Sequence, residues 1–303
     1  MKTDPFADES SPALNVWHVC SVQVPAELAE TVADYLRLEG DCEPVQLERP
    51  GTGPVWLEAY FAEPTTAATL CNRVAAHVPG VTACVRRCDA RDWDQFWRLH
   101  FKARPVGRRL FCCPDWETPP PLAADRRVLR MVPGLSFGTG EHFTTRFALE
   151  MIDQLAVPAG ACRSLWDVGC GSGILAVAGA LLGMAPVHGT DNDPVCLQQA
   201  RANAERNQVA DRVTWRQADI LQARRDDQRY DCVCANLFGH LLQQAADNLW
   251  RATRYYLVLS GIRETEADQV ADTFIKCGAR EIVRDGDGEW TGILLGRPVI
   301  NAD

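Results

Sequence analysis

No run of eighteen consecutive apolar residues occurs in the 303-residue chain, so the sequence offers no candidate for a membrane-spanning helix. Its first fifteen residues, MKTDPFADESSPALN, lack the basic start and apolar stretch of a secretory signal; residues 1 to 13 read as a loose acidic tail, and a cytoplasmic protein is expected. Basic charge is scarce. Thirty-one Lys and Arg against 40 Asp and Glu leave a formal −9, which argues against a broad phosphate-binding surface, and hence against direct nucleic-acid contact, and suits a basic protein partner. Cysteines paired at loop spacing are also missing. The thirteen present are odd in number and scattered, as in a reducing compartment. Cys84 with Cys88, Cys112 with Cys113 and Cys232 with Cys234 lie close, but no second pair and no histidines stand at structural-zinc spacing. Buried structural thiols are expected, and no metal.

What is present divides in three. Residues 14–88 run strand (WHVCSVQV), helix (Glu27 to Glu39), strand (PVQLE), strand (PVWLEAYF), helix (Thr66 to His77), strand (VTACVRR), the βαββαβ order of a ferredoxin-like α+β domain without a catalytic constellation. In the first helix Leu28, Val32, Tyr35 and Leu36 recur at helical spacing and form a face for the small sheet. Residues 89–127 hold an aromatic stretch with Trp93, Phe96, Trp97 and Phe101, then PVGRRLFCCPDW and the proline-rich ETPPPLAADRR; this reads as a linker, its aromatics packing a helix rather than stacking bases. Residues 128–300 alternate strands and helices. SLWDVG, PVHGTD, VTWRQAD, YDCVCAN and YYLVLSG predict a doubly wound parallel sheet, and AREIVRDGDGEWTGILLGRP predicts a terminal antiparallel hairpin, a Rossmann-like arrangement of the methyltransferase kind.

Chemistry concentrates at the strand ends of that third part. SLWDVGCGSGILAVAGALL joins a strand, a glycine turn and an apolar helix; Gly169, Gly171 and Gly173 let the backbone approach a ligand, and the helix amides can face an anionic group. Alone, the spacing also fits a dinucleotide turn. Asp191 ends the next strand, where an acid can accept both ribose hydroxyls of NAD or of S-adenosylmethionine. Asp219 after the third strand, near the adenine, and Asn236 after the fourth, facing the sulfonium, fit the methyltransferase layout, with Asn236 orienting an incoming amine. Asp193 with Pro194 reads as a helix cap and first turn, and Asp219 fits a turn former equally well. The segment PGLSFGTGEHFTTRFALEMIDQL is expected to cap the cofactor, with Thr144 or Thr145 capping its helix; His142 has no assigned role.

In the order PVGRRLFCCPDW, PGLSFGTGEHFTT, DVGCGSGILAVAGALLG, GTDNDPVCLQQARANAERN, VCANL, LSGI and EWTGILLGR, the chain resembles the ribosomal protein L-eleven methyltransferase family over nearly its whole length. The resemblance implies a class I S-adenosylmethionine-dependent enzyme that methylates lysine side chains and the N-terminal amine of that ribosomal protein. It also implies cofactor contacts at Thr145, Gly169, Asp191 and Asn236, and a substrate-recognition role for the ferredoxin-like domain. The chain departs from the family pattern at Glu141 and Phe143, and at Leu237 and Phe238, all near the expected substrate channel. The alternatives are a lysine methyltransferase of another protein, a dinucleotide oxidoreductase and a non-catalytic binding module.

Overall fold

The fold is that of a computed structural model, which describes residues 16–25, 28–40, 45–47, 55–61, 63–89, 102–132, 142–156, 162–222 and 228–297. The chain forms two compact units, Met1–His100 and Phe101–Asp303.

In the first unit β1 (Val16–Val24), α1 (Ala29–Gly40), β2 (Val45–Leu47), β3 (Val55–Phe61), α2 (Pro64–His77) and β4 (Thr82–Asp89) follow the expected βαββαβ order. The sheet runs β2-β3-β1-β4, every neighbour antiparallel. Strand alternation sends Cys20, Val22 and Val24 of β1 and Leu57 and Ala59 of β3 into one core with Val32 and Leu36 of α1 and Leu70 and Val74 of α2. Each fully buried aliphatic side chain there contributes about 1.5–3 kcal/mol. Glu58 points to the opposite face and is nonetheless buried. Its carboxylate accepts from Ser21 Oγ at 3.1 Å, Tyr60 OH at 2.6 Å and the Arg86 guanidinium, so the charge is paired and hydrogen-bonded. Burial and that neighbouring carboxylate push the Tyr60 hydroxyl pKa well up.

The second unit is built on a seven-stranded sheet. Its strands are β8 (Leu165–Val168), β9 (Val187–Asp191), β10 (Val213–Gln217), β11 (Tyr230–Asn236), β12 (Thr253–Arg263), β13 (Arg280–Gly286) and β14 (Trp290–Gly296), ordered β10-β9-β8-β11-β12-β14-β13. The first five are parallel; β14 inserts antiparallel between β12 and β13 and closes the expected hairpin. Asp287 Oδ1 accepts the amides of Glu289 (3.1 Å) and Trp290 (2.8 Å) to fix its turn. Helices α3 (Phe143–Leu155), α4 (Ile174–Leu181), α5 (Pro194–Arg206), α6 (Gly239–Gln244), α7 (Ala246–Ala252) and α8 (Ala267–Lys276) cover the sheet. α4 is apolar on all sides and buried throughout most of its length, as a helix packed between layers must be. No helix among the described residues is long and apolar enough to cross a membrane.

Within the stretch 89–127, read from sequence as a connection, residues 90–101, with Trp93, Phe96, Trp97 and Phe101, lie outside the described residues. The remainder contributes β5 (Arg104–Val106) and β6 (Leu110–Pro114), which with β7 (Arg127–Met131) form a three-stranded sheet in the second unit. The prolines that signal a break are compatible with it, because Pro105 sits on an edge strand and Pro114 is the last residue of the central one. Two polar side chains pin this small sheet to helices that cover the larger one. Asp153 of α3, 3% exposed, accepts the Arg108 amide at 2.7 Å and Arg109 Nε at 3.1 Å, while the same guanidinium donates to the carbonyls of Asp153 and Ala156. Asn207 after α5 mimics a strand: Oδ1 accepts from Arg130 N at 2.8 Å and Nδ2 donates to Arg130 O at 2.7 Å. The close cysteines are free thiols; Cys88, Cys112, Cys113, Cys232 and Cys234 are buried, but Cys84, expected to be so, is exposed. Among the described residues no cluster of three His, Cys, Asp or Glu has metal-binding geometry.

Asp153→Ala strands the Arg108 amide and a part-buried guanidinium, and should destabilise the second unit by about 2–3 kcal/mol. Calorimetry of the full chain should register this as a lower melting transition for that unit; an unmoved transition would refute the pinning role.

Candidate active site

The chain leaves β8 toward β9 and β10, then returns to β11 and β12, so its connections reverse between β8 and β11. Ligands of open α/β sheets sit at the carboxyl ends of the strands beside such a reversal. Gly169 and Gly171 follow β8, Asp191 ends β9 and Asn236 ends β11; Asp219 lies two residues beyond β10. The five residues chosen from sequence at strand ends therefore share one edge of the sheet.

The glycine turn is held from several sides. Gly169 has φ +63°, and a Cβ there would lie 2.5 Å from Leu237 Cδ2, so the position admits no side chain without displacement. Gly173 opens α4 but has no side chain to cap it. Asp167, at 1% exposure, takes that role: Oδ2 accepts the Ala176 amide at 3.0 Å. Burial, with the charge of Asp191 nearby, raises its carboxyl pKa to about 7. Asn203 of α5 donates to the Ser172 carbonyl at 2.9 Å. Asp191 Oδ2 accepts the Gly171 amide at 2.8 Å and Oδ1 the Asp193 amide at 3.0 Å, which aligns the carboxylate with the turn. Asp193 is the N-cap of α5, accepting from Val195 N at 2.8 Å, as read from the sequence. Asp219 is exposed and Oδ1 accepts the Leu221 amide at 2.9 Å, the geometry of a turn former.

The second part of the site lies where α3 meets β11 and β12. The expected cofactor-capping loop, 133–141 with Glu141, lies outside the described residues. The cap of α3 is His142, not Thr144 or Thr145 as expected: its Nδ1 accepts the Thr144 amide at 3.4 Å, because the chain turns helical one residue before the threonines. Both threonines are fully buried. Thr144 Oγ1 lies 2.8 Å from His142 Nδ1 and accepts a long bond from Asn236 Nδ2 at 3.5 Å; its carbonyl accepts from Ser260 Oγ at 2.9 Å. Thr145 Oγ1 and Asn236 Oδ1 are buried with no hydrogen-bond partner among the described residues. Orphaned polar atoms of this kind are disfavoured unless something else occupies the space. Gly261 (φ +77°) makes room, since a Cβ there would stand 2.7 Å from Leu237 O and 2.9 Å from Asn236 Oδ1. His142 meets Trp290 edge to face at 5.2 Å, and the Arg263 guanidinium lies over the Trp290 ring, 4.8 Å from its centroid. Of the departing residues, Phe143 is buried and Phe238 is exposed.

Sequence reasoning did not single out Asp167, Asn203, Ser260 or Gly261. The first two sit inside the quoted glycine-turn and helix segments, and the last two inside LSGI, so the signal was local but unassigned.

A sequence profile described as ribosomal protein L11 methyltransferase (PrmA) matches residues 14–297. The chain is 32% identical to a ribosomal protein L11 methyltransferase of Pelobacter propionicus, over 93% of this chain and 97% of the relative. It is 33% identical to that of Geobacter metallireducens, over 92% and 97%. The solved structure of a ribosomal protein L11 methylase from Lactobacillus delbrueckii subsp. bulgaricus superposes with a TM-score of 0.58 at 24% identity, covering 65% of this chain and 98% of that one, which is a likeness of fold.

The Asp167 shift carries a sign. Folding raises its pKa from 3.8 to about 7, so the stabilisation of the neutral acid is full below pH 4 and lost as the pH rises through 7. Asp167→Asn keeps an acceptor for Ala176 but cannot ionise. Wild-type stability should therefore fall relative to the variant between pH 4 and 7, by up to about 1.4 kcal/mol per pH unit. Parallel denaturation profiles across that window would contradict the assignment.

Proposed function

The chain belongs to the ribosomal protein L11 methyltransferase family, and we propose that it moves methyl groups from S-adenosylmethionine to lysine amines of a ribosomal protein, with L11, for which its relatives are named, as the substrate. The observation that carries this reading is the buried Asn236 Oδ1, without a hydrogen-bond partner among the described residues, at the sheet's reversal beside the glycine turn and Asp191. S-adenosylmethionine fits the residues present: the glycine turn admits close approach, Asp191 offers a carboxylate for ribose hydroxyls, and Thr145 Oγ1 is a second buried polar atom without a partner among the described residues. Gly169, Gly171, Asp191, Thr145 and Asn236 would hold it, with Asp219 at the adenine end. The cofactor, when bound, supplies an electrophilic methyl group on a sulfonium.

What remains for the protein is positioning. Asn236 Oδ1 accepts an N–H of the incoming amine and turns the nitrogen lone pair into the pocket. A lysine ammonium, with an ordinary pKa of about 10.4, must shed a proton first, and a pocket closed to water favours its neutral form. The ferredoxin-like unit, which lacks catalytic groups, selects the protein substrate; a formal −9 suits a basic one in the cytoplasm.

Incubating the full chain with labelled S-adenosylmethionine and ribosomal protein L11 should label lysine residues, mapped by mass spectrometry; cofactor binding with no transfer to any ribosomal protein would favour the binding module. Asp191→Ala should weaken cofactor binding in calorimetry by about 1.5–3 kcal/mol, and unchanged affinity would sink its ribose role. A fragment spanning Phe101–Asp303, which keeps β5 and β6, should bind cofactor but lose activity on the protein substrate. Full activity in that fragment would end the division of labour.

A further inference from the structure

We propose that Thr144, held by His142, is a positioning residue for methyl transfer: it fixes which way the Asn236 carboxamide faces, and so where the incoming amine is held. The inference rests on the reading of Asn236 just given. Its basis is a directional chain of hydrogen bonds. In this relay His142 Nδ1 is the unprotonated ring nitrogen, facing the backbone amide of Thr144 at 3.4 Å as the cap of α3, and the ring proton sits on Nε2. The Thr144 hydroxyl, 2.8 Å from the same nitrogen, then donates to it. A hydroxyl has one proton and two lone pairs, so with the proton spent on His142, Oγ1 can only accept from Asn236, 3.5 Å away. That assigns the near end of the carboxamide as its NH2 group and sends Oδ1, the acceptor, to the other side, where it is buried without a partner among the described residues.

Each link is braced. Thr144 is fully buried and its carbonyl is tied to β12 by Ser260 Oγ. Gly261 leaves the space that Oδ1 occupies. The His142 ring is backed by Trp290, against which Arg263 also stacks. Without the hydroxyl, a carboxamide can turn over and present NH2 where an amine needs an acceptor. The cofactor would be held chiefly by Thr145, the glycine turn and Asp191, with Asn236 one contact among several, so its affinity should depend little on Thr144.

Single-turnover transfer at saturating cofactor and protein substrate, with the cofactor dissociation constant measured separately, tests this in the full chain. Thr144→Val, which keeps shape and loses the hydroxyl, should slow transfer about tenfold or more while cofactor affinity stays within about twofold. Thr144→Ser, which restores the hydroxyl, should recover most of the lost rate. In an Asn236→Ala background Thr144→Val should add nothing, since the group it orients is gone. Nitrogen NMR of the imidazoles, with His142 assigned through its loss in His142→Asn, should show the Nε2–H tautomer in the wild type and a displaced Nδ1 resonance in Thr144→Val. Wild-type transfer by Thr144→Val, an equal loss in both backgrounds, a loss explained by weakened cofactor binding, or an Nδ1–H tautomer would each overturn the relay. Normal transfer by Asn236→Ala is a different result: it would remove the reading of Asn236, and the relay with it.

Discussion

A carboxylate shut away from water at the end of β8 organises the site. Asp167 cannot face solvent, and the Ala176 amide is the donor that satisfies it, so strand, glycine turn and helix α4 are locked into one geometry. The turn can then consist of glycines, which leave its amides and its surface to a ligand. Asp191 extends the arrangement to the next strand by gripping Gly171, and Asn203 holds the opposite side through Ser172. A loop of residues with little conformational preference of their own is thus held by polar groups outside it.

The same logic recurs wherever elements distant in sequence meet. Asp153 and Asn207 hold the small β5-β6-β7 sheet through backbone groups, and Asp231 accepts the amides of Arg163 and Ser164 at the amino end of β11 while pairing with Arg254. None of these is an exposed ion pair of the kind that adds little. They are buried or half-buried acceptors matched to specific amides, and they fix register where apolar packing alone would permit slippage.

Periodicity made most of this architecture legible from the chain alone. Alternation in WHVCSVQV and PVWLEAYF marked the small sheet, and the central parallel strand YDCVCAN is buried along nearly its whole length because both its faces are covered. The strand-end residues Asp191 and Asn236 were legible because a loop of fixed type follows each strand. The three-stranded sheet was not, since RPV and LFCCP are short and carry prolines, one on an edge strand and one at the last residue of the central strand. The partners of Asn236 were hidden for another reason: Thr144, Ser260 and Gly261 are 92, 24 and 25 residues away from it in sequence, and only the packing of α3 on β12 makes them neighbours. His142 as a helix cap escaped notice because the two threonines beside it are better cappers by type.

The position of β14 bears on how the protein is made. Ribosomes deliver strands in order, yet this strand, the last of the sheet, belongs between two that emerge earlier. Until Trp290–Gly296 clears the exit tunnel, β12 has one bare edge and β13 has no neighbour to pair with, so the nascent sheet presents an open row of amides and carbonyls. A chain arrested before that strand emerges keeps the bare edge, and an unpaired edge is a template for association with other chains.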